Sequence, residues 1–180
     1  GAAQWAWLGE RLREPADLRL IVSSIQVIAD GHRWERWGNL PIEREKLYAL
    51  IASARARNVV FLSGDRHRAG LYRLTPDGGA ALVEATSSSM NRSFDDPEES
   101  GPHQVGPMFG ANNFGLIEID WEARIATISI RDEAGTARRA TAIALAPGQR
   151  AAPPIASLVF ARLGRRLLDR GGQTAHPRST

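Results

Sequence analysis

Phe61-Leu62-Ser63-Gly64-Asp65-Arg66-His67 sets an acid and a histidine two residues apart, just past an apolar run and a glycine. In an extended turn the side chains at i and i+2 project to the same side, so a carboxylate and an imidazole would reach one small volume. An oxygen donor beside an imidazole nitrogen is a mixed hard and borderline set, suited to zinc, manganese or iron and, through the carboxylate, to calcium. Two such ions held close together activate a water and clamp the attacking and leaving oxygens of phosphoryl transfer. A turn acid followed by a partly buried packing histidine has the same pattern, so residue types alone leave both readings open. Other chemistries are easier to set aside. The chain has no cysteine, which removes thiolate ligands, disulfides and a cysteine nucleophile. Ser63 has Phe61 where a nucleophile elbow needs glycine, and no glycine-rich phosphate cradle occurs.

The elements that must position this pair can be read from periodicity. With 180 residues, 43% hydrophobic and 24% charged, the chain is long enough to bury a core as one globular unit. Gln4 to Arg13 has Trp5, Leu8 and Leu12 at helical spacing and stops before Pro15. Leu18 to Ser23 is a short β-branched run, hence a buried strand. Pro41 opens a helix expected to run to Arg57 with Ile42, Leu47, Leu50, Ile51 and Ala54 on one face, and Val59 to Ser63 is the next buried strand. A strand, helix, strand unit favours parallel pairing. Later, Leu71 to Leu74, Ala81 to Ala85, Gly115 to Asp120, Ala123 to Arg131 and Thr136 to Leu145 read as short strands, the last three as an antiparallel meander. Ser87 to Asn113 is a long polar loop of the kind that is functional or disordered. Ala146 to Pro154 is a linker. Beyond it Ile155, Leu158, Val159, Leu163 and Leu167 oppose Arg162, Arg165, Arg166 and Arg170, the pattern of a basic amphipathic helix.

The net charge of +3 and pI near 10.1 come from that tail. From Arg131 onward nine arginines meet three acids, whereas the preceding residues are acidic on balance. No aromatic-rich basic strand accompanies the arginines, so no nucleic-acid partner is expected, and weak contact of the tail with an anionic membrane is the alternative use of its charge. Nothing at Gly1-Ala2-Ala3-Gln4-Trp5 resembles a signal peptide, and the N-terminus of the parent is expected to lie upstream.

Several blocks in order carry a resemblance. Trp7-Leu8 with Leu12-Arg13, then Leu20-Ile21-Val22-Ser23-Ser24-Ile25-Gln26-Val27, Trp34-Glu35-Arg36-Trp37-Gly38-Asn39 with Pro41, the Phe61 to His67 block, Thr86-Ser87-Ser88, and Asn112-Asn113-Phe114-Gly115-Leu116-Ile117-Glu118-Ile119-Asp120 together resemble the C-terminal half of the alkaline phosphatase D family, within the calcineurin-like metallophosphoesterases. The resemblance implies an α/β fold of mixed α+β character, part of a four-layer αββα sandwich in which two mixed sheets pack together between helices. Residues 1–148 would form the half-domain and 149–180 the linker, helix and tail. It implies that Asp65 and His67 are metal ligands, in place of the His-x-His block of many relatives. Gln26 and His32 would border the site as catalytic candidates. Read from the residues themselves, Trp34 and Trp37 with His32 could wall a substrate pocket, and tryptophans spaced by three equally pack a loop onto a core. His103 and His176 read as solvated.

The implied activity is hydrolysis of phosphate monoesters or diesters with divalent or trivalent ions, two of them, drawn from iron, calcium, zinc or manganese. Related enzymes are often exported, but the chain itself does not give a compartment. The departure from the family is the acid and histidine blocks of the N-terminal half, for which Asp30-Gly31-His32 and Asp95-Asp96 are no substitute. The missing half of the same domain is therefore an expected partner, and the isolated segment is expected to be inactive. A non-catalytic scaffold or anionic-surface-binding module is the competing reading.

Overall fold

The strand Val59–Ser63 decides the layering, because Val59 and Phe61 turn to one face while Val60 and Leu62 turn to the other. In the computed structural model, which describes residues 1–94 and 100–145, the elements follow as α1 (Ala2–Arg13), β1 (Arg19–Val22), a single 3-10 turn (Trp37–Asn39), α2 (Pro41–Ser53), β2 (Val59–Ser63), β3 (Ala69–Leu74), β4 (Leu82–Ser87), β5 (Asn113–Asp120), β6 (Ile125–Asp132) and β7 (Ala137–Ala144). The first sheet has the order β1-β2-β4-β3 and the second β5-β6-β7. β1 runs parallel to β2, with Arg19 opposite Val59 and Val22 opposite Leu62, as the strand, helix, strand pattern predicts. β4 is also parallel to β2, and β3 returns antiparallel on its outer side. The meander is antiparallel throughout.

Two apolar clusters glue the layers. On one face of the first sheet, Val59, Phe61, Tyr72 and Leu82 meet Leu12 of α1, Leu47, Tyr48 and Ile51 of α2, and Val27, Ile28 and Ala29 of the intervening loop. On the other face, Val60, Leu71, Val83 and Ala85 meet Ile128 and Ile130 of the second sheet. Helices, sheet and sheet are thus three of the four layers of the expected sandwich among the described residues. A strand buried on both faces reads as a continuous apolar run, which explains Val59-Val60-Phe61-Leu62. Fully burying a side chain such as Phe61 contributes about 1.5–3 kcal/mol.

Two expectations are corrected by local chemistry. α2 stops at Ser53 rather than Arg57, because Arg55 turns left-handed (φ 52) and the chain closes with Arg55 N donating to Ala52 O and Ala56 N to Ile51 O. That pair of bonds is a Schellman cap, with Ala56 and Ile51 buried together beneath it. Ile42 is 81% exposed, and Tyr48 takes its place on the buried face: five residues from Leu47, Ile42 falls off the helical stripe. The long loop after β4 is not idle. Arg73 N donates to His103 O, Val105 N to Leu71 O, and Ala69 and Phe109 exchange two backbone bonds, so this segment covers the outer edge of β3. The Pro/Ala linker, the basic helix, His176, Asp95-Asp96 and the division at residue 148 fall outside the described residues.

Candidate metal centre

The chain leaves β2 through a turn that is tight rather than extended, so the same-side argument for Asp65 and His67 does not describe it. Arg66 N donates to Gly64 O at 2.9 Å, and Asp65 at the centre has φ 69, the strained positive-φ form of the γ-turn. His67 follows with φ 52. Non-glycine residues in such conformations cost on the order of 1–3 kcal/mol each and persist only where their surroundings fix them. The fixing groups are visible. His67 N donates to Ser88 Oγ at 3.2 Å, and its carbonyl accepts from Phe94 N at 3.0 Å. Its ring stacks on Phe94, with centroids 4.5 Å apart and planes at 19°.

The ring nitrogens of His67 are therefore distinguishable. Nδ1 lies 2.9 Å from Arg92 O, and a carbonyl oxygen only accepts, so Nδ1 carries the proton. In the neutral ring Nε2 then keeps its lone pair. A backbone carbonyl holding one ring nitrogen so that the other can bind is the usual support of a metal-ligating histidine. Asp65, one residue beyond Gly64, is exposed and can offer its carboxylate outward. An exposed carboxylate and an oriented imidazole fit an ion that takes oxygen and nitrogen donors. They do not close a cage: among the described residues, no three His, Asp or Glu side chains gather to hold an ion.

Below the turn lies a buried polar network that the strand periodicity did not reveal. Glu84, in the centre of β4, is fully buried. Its Oε1 accepts from Val27 N at 2.8 Å and from the Ser63 hydroxyl at 2.8 Å; its Oε2 accepts from Ile28 N at 2.7 Å and Ala29 N at 3.0 Å. Burial pushes the Glu84 carboxyl above the ordinary carboxylate range, while the bonds from Val27, Ser63, Ala29 and Ile28 pull it back. Ser63 Oγ also meets Thr86 Oγ1 at 2.9 Å, and Gln26 Nε2 donates to Thr86 Oγ1 at 2.9 Å and Tyr72 OH at 3.2 Å. The one sequence signal was an acid inside the apolar run Leu82-Val83-Glu84-Ala85, since glutamate is rarely buried without partners.

The remaining candidates are placed as follows. Gln26 is 0% exposed, its amide nitrogen committed to the network and its Oε1 without a hydrogen-bond partner among the described residues. His32 is half-buried, and its Nδ1 accepts from Trp34 N at 3.2 Å, the opposite ring polarity to His67. Trp37 donates Nε1 to Ser23 Oγ and packs on the core, whereas Trp34 stays 52% exposed with the Arg66 guanidinium 5.9 Å from its ring centroid. Asp30 holds Arg36 at 2.8 Å and Arg44 at 2.7 Å. Burial raises its carboxyl, but those two hydrogen bonds and charges outweigh it and hold the group below the usual range. The hydroxyls of Ser87 and Ser89 serve Asn113 and Arg92 O, and His103 is exposed, as expected.

A solved structure described as "Structure of PhoD" matches with a TM-score of 0.52 at 15% identity, covering 94% of this chain and 41% of that one. At that identity the likeness concerns the fold, and the chain spans under half the length of the protein it matches. No curated protein matches the sequence. The family model for PhoD-like phosphatase matches residues 1–127, most of the length described above. The chain belongs to the PhoD-like phosphatase family.

Proposed function

We propose that the parent of this chain hydrolyses phosphate monoesters or diesters with two bound metal ions, and that Asp65 and His67 are the ligands contributed by this half. The observation that carries the reading is His67: its proton is held on Nδ1 by Arg92 O, its ring is held by Phe94, and its Nε2 is left to bind. When bound, the ions, from the set of iron, calcium, zinc and manganese, supply Lewis acidity toward the ester and toward a water. The part played by the chain's own residues is orientation. Asp65 brings a negative oxygen to the ion through a strained turn, the Ser88 hydroxyl holds the turn by accepting from the His67 amide, and Gln26, buried away from any substrate, acts by positioning rather than by contact. His32 and the exposed Trp34 border the substrate side.

The other ligands would come from the rest of the parent. An apolar groove of about 390 Å³ runs between α1, β1 and α2, lined by Trp5, Leu8, Val22 and Leu40 among others, and β1 at the sheet edge leaves Val22 78% exposed. An edge that is unpaired among the described residues, beside an apolar groove, is where a missing half of the domain would pack.

The test is turnover of p-nitrophenyl phosphate and bis-p-nitrophenyl phosphate with added manganese, zinc, iron or calcium. The parent is expected to turn over and the isolated chain not to. In the parent, Asp65→Asn and His67→Ala should each lower the rate by more than the roughly 10–100-fold typical of outer partners of a metal site. An active parent unaffected by both substitutions would remove Asp65 and His67 as ligands, and a parent without turnover would leave the scaffold reading.

A further inference from the structure

We propose that Glu84 is the positioning residue of the Asp65–His67 turn, its carboxylate tying the Val27–Ala29 backbone and the Ser63 hydroxyl together and thereby fixing the two strand ends from which the turn is held. The functional meaning of this tie rests on the metal reading above; the tie itself does not.

Four donors converge on one fully buried carboxylate, and three of them are backbone N–H groups that can only donate. With the Ser63 proton on Glu84 Oε1, Ser63 Oγ is left to accept from the Thr86 hydroxyl, and Thr86 Oγ1 to accept from Gln26 Nε2. Donation therefore runs one way, from Gln26 through Thr86 and Ser63 to Glu84. Ser63 and Thr86 are partners in the parallel register of β2 and β4, so the chain of hydroxyls cross-links the strand ends. Gly64, next after Ser63, opens the γ-turn, and Ser88, two residues past Thr86, takes the His67 amide. Both anchors of the turn leave from the cross-linked pair. Glutamine at position 84 would face one of these donor sets with its own N–H groups and break the direction without changing size.

The experiment is backbone hydrogen exchange and imidazole 15N NMR on the metal-free chain, comparing wild type, Glu84→Gln and Ser63→Ala. The expected result is exchange at the Arg66 and His67 amides at least 10-fold faster in both variants, with loss of the single Nδ1–H form of His67, while amides in 113–144 keep their wild-type rates. A folded Glu84→Gln chain with wild-type exchange at Arg66 and His67 and an unchanged His67 tautomer would overturn the proposal. Should Glu84→Gln not fold, Ser63→Ala decides alone, since it spares all three backbone bonds to the carboxylate. Failure of Asp65→Asn to affect ion retention in the parent would count against the metal reading and leave this coupling untouched.

Discussion

The ends of β2 and β4 and the meander β5–β7 are built on opposite plans. The meander pairs neighbours in sequence, and its outer strand alternates exposed and half-buried residues. Asn113 and Ser129 are buried, but its ion pairs reach solvent, as in Arg131 with Glu118 at 2.7 Å, the latter 57% exposed. At the strand ends of the first sheet, the partners are distant in sequence, the polar groups are buried, and two non-glycine residues sit at positive φ. An exposed ion pair of the meander tolerates the loss of one side chain. A buried network does not, and it is the part of the fold able to hold a strained turn in one shape.

The largest effect should come from breaking the network outright. Glu84→Ala leaves three backbone N–H groups without an acceptor, at about 1–3 kcal/mol each, and urea unfolding should show a loss of at least about 3 kcal/mol. Glu118→Ala in the meander removes an exposed pair and should cost about 0–1 kcal/mol by the same measurement. Equal losses would erase the contrast.

Strain gives a sharper version. Asp65→Gly and Arg55→Gly both place glycine at positive φ, and each should raise stability by up to about 1 kcal/mol in urea unfolding. Their consequences then part: Asp65→Gly discards a proposed ligand, whereas Arg55→Gly only improves the cap of α2. Stabilisation by Arg55→Gly with destabilisation by Asp65→Gly would mean that the γ-turn is not strained.

The smallest effect is electrostatic. Asp30 is held below its ordinary value, so its contribution is present above the unfolded value of about 3.9 and fades as pH falls through the lower folded value. Asp30→Asn should flatten the acid limb of stability against pH below about 4, modestly because the pair is partly in solvent. Glu84 has the opposite sign: its raised carboxyl favours the fold most at low pH and loses that share as pH rises through the folded value. A wild-type acid limb in Asp30→Asn would remove Asp30 from the account.

The sequence made much of the scaffold readable. β2 was bounded correctly at Val59–Ser63, since an apolar run ending in Ser-Gly is an unambiguous strand exit, and the parallel pairing with β1 followed from the helix between them. The end of α2 was not readable, because its left-handed cap uses Arg55 where a glycine would have announced it. The support of His67 was hidden for a different reason. Arg92 O and Phe94 reach it from 25 or more residues away by backbone and ring, groups that no motif spells. Glu84 was hidden likewise, its partners being amides of residues 27–29, more than 50 positions earlier.

The most direct test of the ion-binding turn is paramagnetic broadening of the chain's NMR signals by manganese(II). Broadening should centre on the His67 ring and the residues flanking Asp65, and should vanish in both Asp65→Asn and His67→Ala. Broadening that centres elsewhere, or that survives both substitutions, would contradict the claim that this turn presents the ligands.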